Sequence, residues 1–186
     1  MSDLTLLMLA ISLAMDAFAV SVCGGLALPS GSRTKGGLIF GMWFGGFQAL
    51  MPVLGYYIGA NFEKVIASYD HWIAFGLLSY IGISMLLEAK DTCIYKYNIT
   101  DNKRMLTLAV ATSIDALAVG VSFVFLHVDI IKAAVYIGAI TFLLSFLGCV
   151  FGSKLGAGSK AKAEMAGGIV LVGLGCKILA EHLGYI

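Results

Sequence analysis

Six apolar runs, each about long enough to cross a lipid bilayer, limit what this chain can fold into. They cover residues 4–27, 36–60, 71–89, 105–126, 131–153 and 164–185, and polar breaks separate them. A transmembrane helix needs about 20 consecutive, mostly apolar residues. The chain is 60% hydrophobic and only 12% charged, whereas soluble domains are about 25% charged. We therefore predict an all-α integral membrane protein with six transmembrane helices.

The first and fourth apolar runs resemble each other. LAISLAMDAFAVSVCGG (9–25) and LAVATSIDALAVGVSF (108–123) align when Asp16 is matched with Asp115. Weaker matches continue through the next two runs of each half. They pair Gly41, Gly55 and Gly59 with Gly138, Gly152 and Gly156, and Leu78, Gly82, Leu86 and Glu88 with Leu171, Gly175, Leu179 and Glu181.

Each copy of this repeat contains three spans, so the second copy must enter the membrane upside down. We therefore predict two inverted three-helix repeats, residues 1–89 and 105–186, joined by a linker at 90–104. Inverted repeats are the plan of many transporters, whose substrate site lies near the midplane where the repeats meet.

The distribution of basic residues predicts the orientation in the membrane. The breaks on one side hold nine of them, and those on the other side hold Lys64 and Lys132. Basic residues accumulate in cytoplasmic loops, so we expect the linker inside and both termini outside. The nine are Arg33, Lys35, Lys90, Lys96, Lys103, Arg104, Lys154, Lys160 and Lys162.

The two aligned aspartates, Asp16 and Asp115, are the strongest candidates for a functional site. A charge at the centre of a membrane helix costs about 2.5–3.5 kcal/mol on insertion scales, and such residues are usually functional. Inversion brings both acids to a similar depth, so we expect them to approach each other. Two carboxylates in a low-dielectric site need a cation, a proton or a basic partner. A divalent metal neutralises both carboxylates and is bound by their oxygen lone pairs. The alternative is that the acids are protonated and only hydrogen-bond helices together.

Several neutral side chains near the aspartates could complete a metal site. Ser12 precedes Asp16 and Thr112 precedes Asp115 by about one helical turn, while Gln48 and its repeat counterpart Ser145 lie within the second and fifth runs. Pro52 frees the backbone carbonyl of Gln48, and the Met51 thioether is a further candidate. The alternatives are an interhelical hydrogen bond for Gln48 and a core-filling role for Met51.

The remaining membrane charges and motifs point to no second chemistry. Lys177 precedes Glu181 by four residues, which predicts an ion pair on one helical face; a gating or proton-path role for Glu88 and Glu181 is the alternative. The sequence contains no HExxH, phosphate-binding loop or Ser/His/Asp arrangement. We therefore expect no enzyme activity, no cofactor and no nucleic-acid partner.

Taken together, these runs resemble the MntP-type manganese efflux pumps, relatives of the lysine exporter superfamily. The resemblance covers essentially the whole chain and is most specific in the MDA/IDA pair and the FQALMP run. It is carried by AMDAFAVSVCGG (14–25), FGGFQALMPVLGYYIG (44–59), HWIAFGLLSYIGISMLLE (71–88), ATSIDALAVGVSF (111–123), SFLGCVFGSKLG (145–156) and AEMAGGIVLVGLGCKIL (163–179).

This resemblance implies export of Mn(II), as substrate, across a bacterial inner membrane. It also implies that Asp16 and Asp115 are the two membrane acids of the family. Some members carry an acid at the position of Gln48, so the charge of the ligand set is lower in this chain.

We therefore expect a secondary transporter that exports Mn(II) by alternating access, with protons as the counter-ion and the bilayer as its surroundings. A homodimer is compatible with the sequence. The alternatives are an exporter of small organic cations such as basic amino acids, an exporter of another divalent metal, and a non-transporting protein whose aspartates pair helices.

Overall fold

The computed structural model describes residues 3–61, 70–88, 102–126, 128–156 and 158–182, and within them the chain is helical without β-strands. The prediction of an all-α protein is confirmed. The helices are α1 (Asp3–Ala27), α2 (Arg33–Ala60), α3 (Asp70–Glu88), α4 (Asn102–Ala111), α5 (Ile114–Phe125), α6 (Ile130–Leu155) and α7 (Gly158–His182).

Five helical segments are long and apolar enough to cross a membrane: Asp3–Ala27, Ser30–Ala60, Met105–Phe125, Ile130–Leu155 and Ala161–Ala180. The 19-residue helix α3 coincides with the remaining predicted span. Four helices, α1, α2, α3 and α6, begin and end within three residues of the predicted limits. Helix α7, which contains the sixth span, begins before the predicted limit, at Gly158 rather than residue 164.

The fourth predicted span is two helices rather than one. Helix α4 ends at Ala111 and α5 begins at Ile114, so a two-residue turn interrupts the predicted span over 105–126, which as a whole is long and apolar enough to cross a membrane. At the break, the Ser113 N–H donates to Val110 O at 3.1 Å, instead of to Ala109 O one residue earlier. The Ser113 hydroxyl donates to Ala109 O at 2.6 Å and replaces the lost backbone donor. Serine hydroxyls can take the place of the backbone in this way, so the side chain supports the break.

The helices pack in a bundle in which α1 lies against α6 and α7, α2 against α5 and α6, and α3 against α7. Glycines occupy the points where backbones approach most closely. A Cβ at Gly55 would collide with the carbonyl oxygen of Leu117, and one at Gly152 would come 2.6 Å from that of Val22. Gly55 and Gly152 thus form two glycine seams of the kind that let membrane helices approach closely.

Charged side chains mark the two ends of α1. At its N-terminal end, Asp3 Oδ1 lies 2.6 Å from Lys132 Nζ at the start of α6. At its C-terminal end, Arg33 Nε donates to Gly25 O at 3.1 Å, an arrangement favoured by the negative end of the helix dipole. Helices α1 and α6 thus begin at the same end of the bundle.

Two sets of predictions fall outside the described residues. Residues 89–101, most of the predicted linker, are among them, and so are the side chains of Glu88 and Glu181. The predicted ion pair between Lys177 and Glu181 therefore lies outside the described part of the chain.

Candidate metal-transport site

Two buried apolar clusters divide the interior of the bundle. The Phe123 cluster consists of Leu6, Leu9, Ala10, Leu13, Leu78, Ile81, Val119, Phe123, Ala133, Ile137, Leu171, Leu174 and Ile178. The Phe44 cluster consists of Ala17, Leu28, Phe40, Phe44, Met105, Ala109 and Cys149. Helices α1 and α6 contribute residues to both clusters, as do α4 and α5 taken together.

Polar side chains lie between the two clusters along the chain, and we call them the polar layer. On α2, the boundary on the Phe123 side is Tyr56, which packs against that cluster. In chain order the successions are Leu13, Asp16 and Ala17 on α1; Phe44, Gln48 and Tyr56 on α2; Ala109, Asp115 and Val119 on α4–α5; and Ile137, Thr141, Ser145 and Cys149 on α6. Four transmembrane segments thus contribute polar groups to one zone of the interior.

Asp16 lies near the middle of α1 and is partly buried, with its Oδ1 atom shielded from solvent. The exposed apolar side chains in the first half of α1 form one stripe along the helix, consisting of Leu4, Leu7, Met8 and Ile11. At about 100° per residue, Asp16 lies roughly 130° round the helix from the centre of that stripe. The carboxylate therefore lies away from the surface that would face lipid.

Asp115 lies in the first turn of α5, directly after the break. Asp115 is 9% exposed, and its Oδ1 accepts a hydrogen bond from the Ala116 N–H at 2.7 Å. The first N–H groups of a helix lack partners within the helix, so the carboxylate satisfies one of them. A helix N-terminus also favours negative charge. The break therefore gives Asp115 an electrostatic support that the sequence pattern did not reveal.

Gln48 is fully buried and bridges two helices. Its Nε2 donates to Leu13 O on α1 at 2.8 Å, so the interhelical hydrogen bond considered from the sequence is present. Its Oε1 is also buried and has no hydrogen-bond partner among the described residues. The amide thus holds α1 and α2 together with one atom and leaves a hard oxygen acceptor in the polar layer.

Ser145 and Thr141 lie one turn apart on α6 and are both fully buried. Neither hydroxyl oxygen has a hydrogen-bond partner within the described part of the chain. The sequence predicted Ser145 as a site residue but missed Thr141. The available signal was its i−4 spacing from Ser145, which places both side chains on one helical face.

Three further predicted ligands are close to the layer. Ser12 and Thr112 are buried, and each hydroxyl donates to a carbonyl one turn back, Met8 O at 2.8 Å and Leu108 O at 3.0 Å. These bonds use the hydroxyl protons and leave oxygen lone pairs. Met51 is partly buried in α2, which continues through Pro52.

Among the described residues, no three His, Cys, Asp or Glu side chains form a group that could hold a metal ion. Glu164, in α7, is a further buried carboxylate at 4% exposure, which the sequence analysis did not single out. It lies near the start of the predicted sixth span.

Comparison with known proteins gives consistent matches. The family model described as "Putative manganese efflux pump" matches residues 31–179. A protein of Acetivibrio thermocellus with the name "Putative manganese efflux pump MntP" is 52% identical over 192 residues, covering 100% of this chain and 94% of its own length. Proteins of the same name from Desulfitobacterium hafniense and Mannheimia succiniciproducens are each 50% identical, covering 100% and 98% of this chain and 98% of their own lengths. No solved structure matches the chain.

Proposed function

Because the chain belongs to the family described as "Putative manganese efflux pump", we propose that it is a secondary transporter that exports Mn(II) from the cytoplasm. The relatives named as manganese efflux pumps match this chain over nearly their full lengths. Five helical segments long and apolar enough to cross a membrane fit a multi-pass transporter.

The observation that carries this proposal is the polar layer enclosed between two apolar clusters. The layer contains the carboxylates of Asp16 and Asp115 together with amide and hydroxyl oxygens. Carboxylate and neutral oxygen ligands suit hard divalent cations such as Mn(II). A site of this kind, closed by apolar side chains towards both ends of the bundle, fits a carrier with an occluded substrate.

We propose that Asp16 and Asp115 bind the ion jointly. The segments that carry them contribute to the same two clusters on either side of the acids: Leu13 and Val119 belong to the Phe123 cluster, and Ala17 and Ala109 belong to the Phe44 cluster. Each acid therefore lies between two levels at which α1 and α4–α5 contribute to the same core. This supports a position of both carboxylates in the same layer, near mid-membrane.

Gln48 and Ser145 are the proposed neutral ligands, with Ser12, Thr112 and Met51 as further members of the set. Gln48 Oε1 and Ser145 Oγ are buried acceptors without partners in the described residues, and an oxygen ligand in such a position gains a contact when a cation enters. Ser12 and Thr112 can offer only lone pairs because their protons are engaged.

We also propose that the halves are inverted repeats. Contacts recur between counterpart residues: Gly55 packs against Val121, and its counterpart Gly152 packs against Val22, which aligns with Val121. Where α2 crosses α6, Gly41 contacts Phe142 while its counterpart Gly138 contacts Gly45. Gly41 and Gly138 are 97 residues apart, and at this spacing Phe142 is the counterpart of Gly45. An exchange of the two halves maps each contact onto the other, which supports alternating access by rocking of two related units.

Protons are the proposed counter-ion, because a pair of carboxylates can hold either a divalent metal or protons. The nine-to-two distribution of basic residues supports a cytoplasmic linker and outward-facing termini. Export then moves Mn(II) towards the end of the bundle that carries the ion pair between Asp3 and Lys132.

Uptake of radioactive manganese into inverted membrane vesicles, with and without a pH gradient, tests the proposal. Wild-type protein is expected to accumulate Mn(II), and Asp16→Asn and Asp115→Asn are expected to lose uptake. The matched control is Asp129→Asn, because Asp129 is an exposed N-cap of α6 and asparagine caps helices as well as aspartate. Wild-type uptake by either membrane variant at normal expression would refute the two-carboxylate site.

A further inference from the structure

The buried hydroxyl groups of this protein fall into two classes. Most donate to the carbonyl one helical turn back, as do Ser12, Ser21, Thr112, Ser113 and Ser122. This is the usual way in which serine and threonine satisfy their hydroxyls inside a helix. Thr141 and Ser145, both 0% exposed, make no such bond and have no other partner in the described residues. Partly buried Ser79 on α3 belongs to the second class as well, but it lies against Gly175 of α7.

The positions of Thr141 and Ser145 on α6 place them at the junction of three helices. Phe142 contacts α2, and Gly148 contacts α1 at Phe18. At about 100° per residue, these two contacts enclose a sector of about 120° on the surface of α6, and both hydroxyl residues fall within it. Their side chains are therefore directed to the seam between α1 and α2, the helices that carry Asp16 and Gln48.

A buried hydroxyl without a partner is unfavourable, and valine would fill the same space as threonine without that cost. This cost is offset if a cation enters and is bound by the hydroxyl oxygen. Within the proposed function, on which this step rests, we infer that Thr141 is a further Mn(II)-contacting residue, and that Thr141 and Ser145 form two successive neutral oxygen ligands along α6. Hydroxyl oxygens are hard donors, so this pair favours Mn(II) over the softer Cd(II).

Thermal unfolding of the purified full chain in detergent, with and without Mn(II), tests this inference. Metal-free Thr141→Val is expected to be at least as stable as the wild type, because a methyl group replaces a hydroxyl that has no partner. Its half-saturating Mn(II) concentration is expected to rise roughly tenfold, which corresponds to about 1.4 kcal/mol. Thr141→Ser keeps the hydroxyl and is expected to restore the Mn(II) response.

The matched control is Ser21→Ala, which removes an equally buried hydroxyl that donates to Ala17 O at 2.7 Å. It is expected to lower the metal-free melting temperature and to keep the wild-type Mn(II) response. A purely structural role for Thr141 would produce the same pattern in Thr141→Val. The two variants should therefore change in opposite ways.

Three results distinguish a failure of the proposed Thr141 contact from a failure of the proposed manganese transport. A full Mn(II)-induced shift in Thr141→Val, beside a lost shift in Asp16→Asn, would overturn the role of Thr141 and leave manganese transport standing. Absence of any Mn(II)-induced shift in the wild type would overturn both. Thr141→Cys supplies a soft sulfur ligand at the same place, so its half-saturating Cd(II) concentration is expected to fall relative to that of Mn(II); an unchanged ratio would contradict direct contact.

Discussion

The two aspartates of this protein occupy matching places in a sequence repeat but different places in the backbone. Asp16 lies in the middle of a continuous 25-residue helix. Asp115 lies in the first turn of a 12-residue helix that begins after a break. Near Asp16 the backbone N–H groups belong to the hydrogen-bond ladder of α1, whereas Asp115 accepts the Ala116 N–H.

This difference teaches that a repeated sequence can preserve a ligand while changing its electrostatic support. A helix N-terminus stabilises a nearby negative charge by about 0.3–1 kcal/mol. The carboxylate of Asp115 is therefore held by its own helix. Asp16 has no helix terminus beside it.

Removal of either negative charge should have the largest effect and should expose the difference between the two sites. We expect Asp16→Asn and Asp115→Asn each to weaken Mn(II) binding by about 3–5 kcal/mol, because each leaves a buried ion without one of its counter-charges. In metal-free protein, only Asp115→Asn also loses support from a helix terminus. Its melting temperature should therefore fall below that of Asp16→Asn, as measured by thermal unfolding in chelator. Equal metal-free stabilities would argue that the helix break has no electrostatic role.

The two glycine seams offer the next largest effect. Valine at Gly55 meets the backbone of Leu117, and valine at Gly152 meets the backbone of Val22. Neither backbone can move aside as a flexible side chain would, so we expect each variant to lose at least the roughly 1–3 kcal/mol typical of overpacking. Expression and monodispersity in detergent measure this loss.

Gly46→Val is the control for both seams, because a Cβ at Gly46 has open space around it. It should express like the wild type. If Gly55→Val were as well behaved as Gly46→Val, the close approach of α2 and α5 would be in doubt.

Removal of a single hydroxyl group at the helix break should have a smaller effect on stability. Ser113→Ala removes the shorter of two hydroxyl hydrogen bonds to Ala109 O, which lacks a backbone donor and would keep only the 3.3 Å bond from Thr112; the loss of such a bond costs about 0.5–1.5 kcal/mol. Ser21→Ala, in continuous α1, removes a second donor from a carbonyl within the helical ladder and should cost less. Comparison of their melting temperatures tests the idea, and a larger loss in Ser21→Ala would reverse it.

The smallest effect is expected at the end of the bundle. Lys132 and Asp3 form an ion pair whose side chains are 44% and 73% exposed, and exposed pairs contribute little. Lys132→Gln should leave both the melting temperature and Mn(II) uptake at wild-type values. A clear loss of uptake would show that charge at this end takes part in transport.

Much of the fold could be predicted from the sequence, because hydrophobic length and composition decide what can cross a bilayer. The limits of α1, α2, α3 and α6 were predicted in this way. The break at Thr112 and Ser113 could not be, since two hydroxyl residues in an apolar run are compatible with a continuous helix. Only the geometry reveals that the Ser113 hydroxyl takes the place of a backbone donor.

The candidate site was predicted in part for a similar reason. Aspartates in apolar helices are conspicuous, and the repeat directs attention from Gln48 to Ser145. Thr141 has no polar counterpart in the first half, where Phe44 occupies the matching position in the register that pairs Gln48 with Ser145. Whether a threonine satisfies its hydroxyl within its own helix depends on its rotamer, which periodicity does not determine.

The two apolar clusters have a consequence for the energy economy of the cell. An energised membrane stores work as a proton gradient, and any continuous file of water through a membrane protein would dissipate it. Here Phe123 and its neighbours lie on one side of the polar layer, and Phe44 and its neighbours on the other. Narrow apolar zones exclude water and ions. Under the proposed function, the two clusters would keep the resting carrier electrically insulating, so that a cell could maintain many copies without dissipating its gradient.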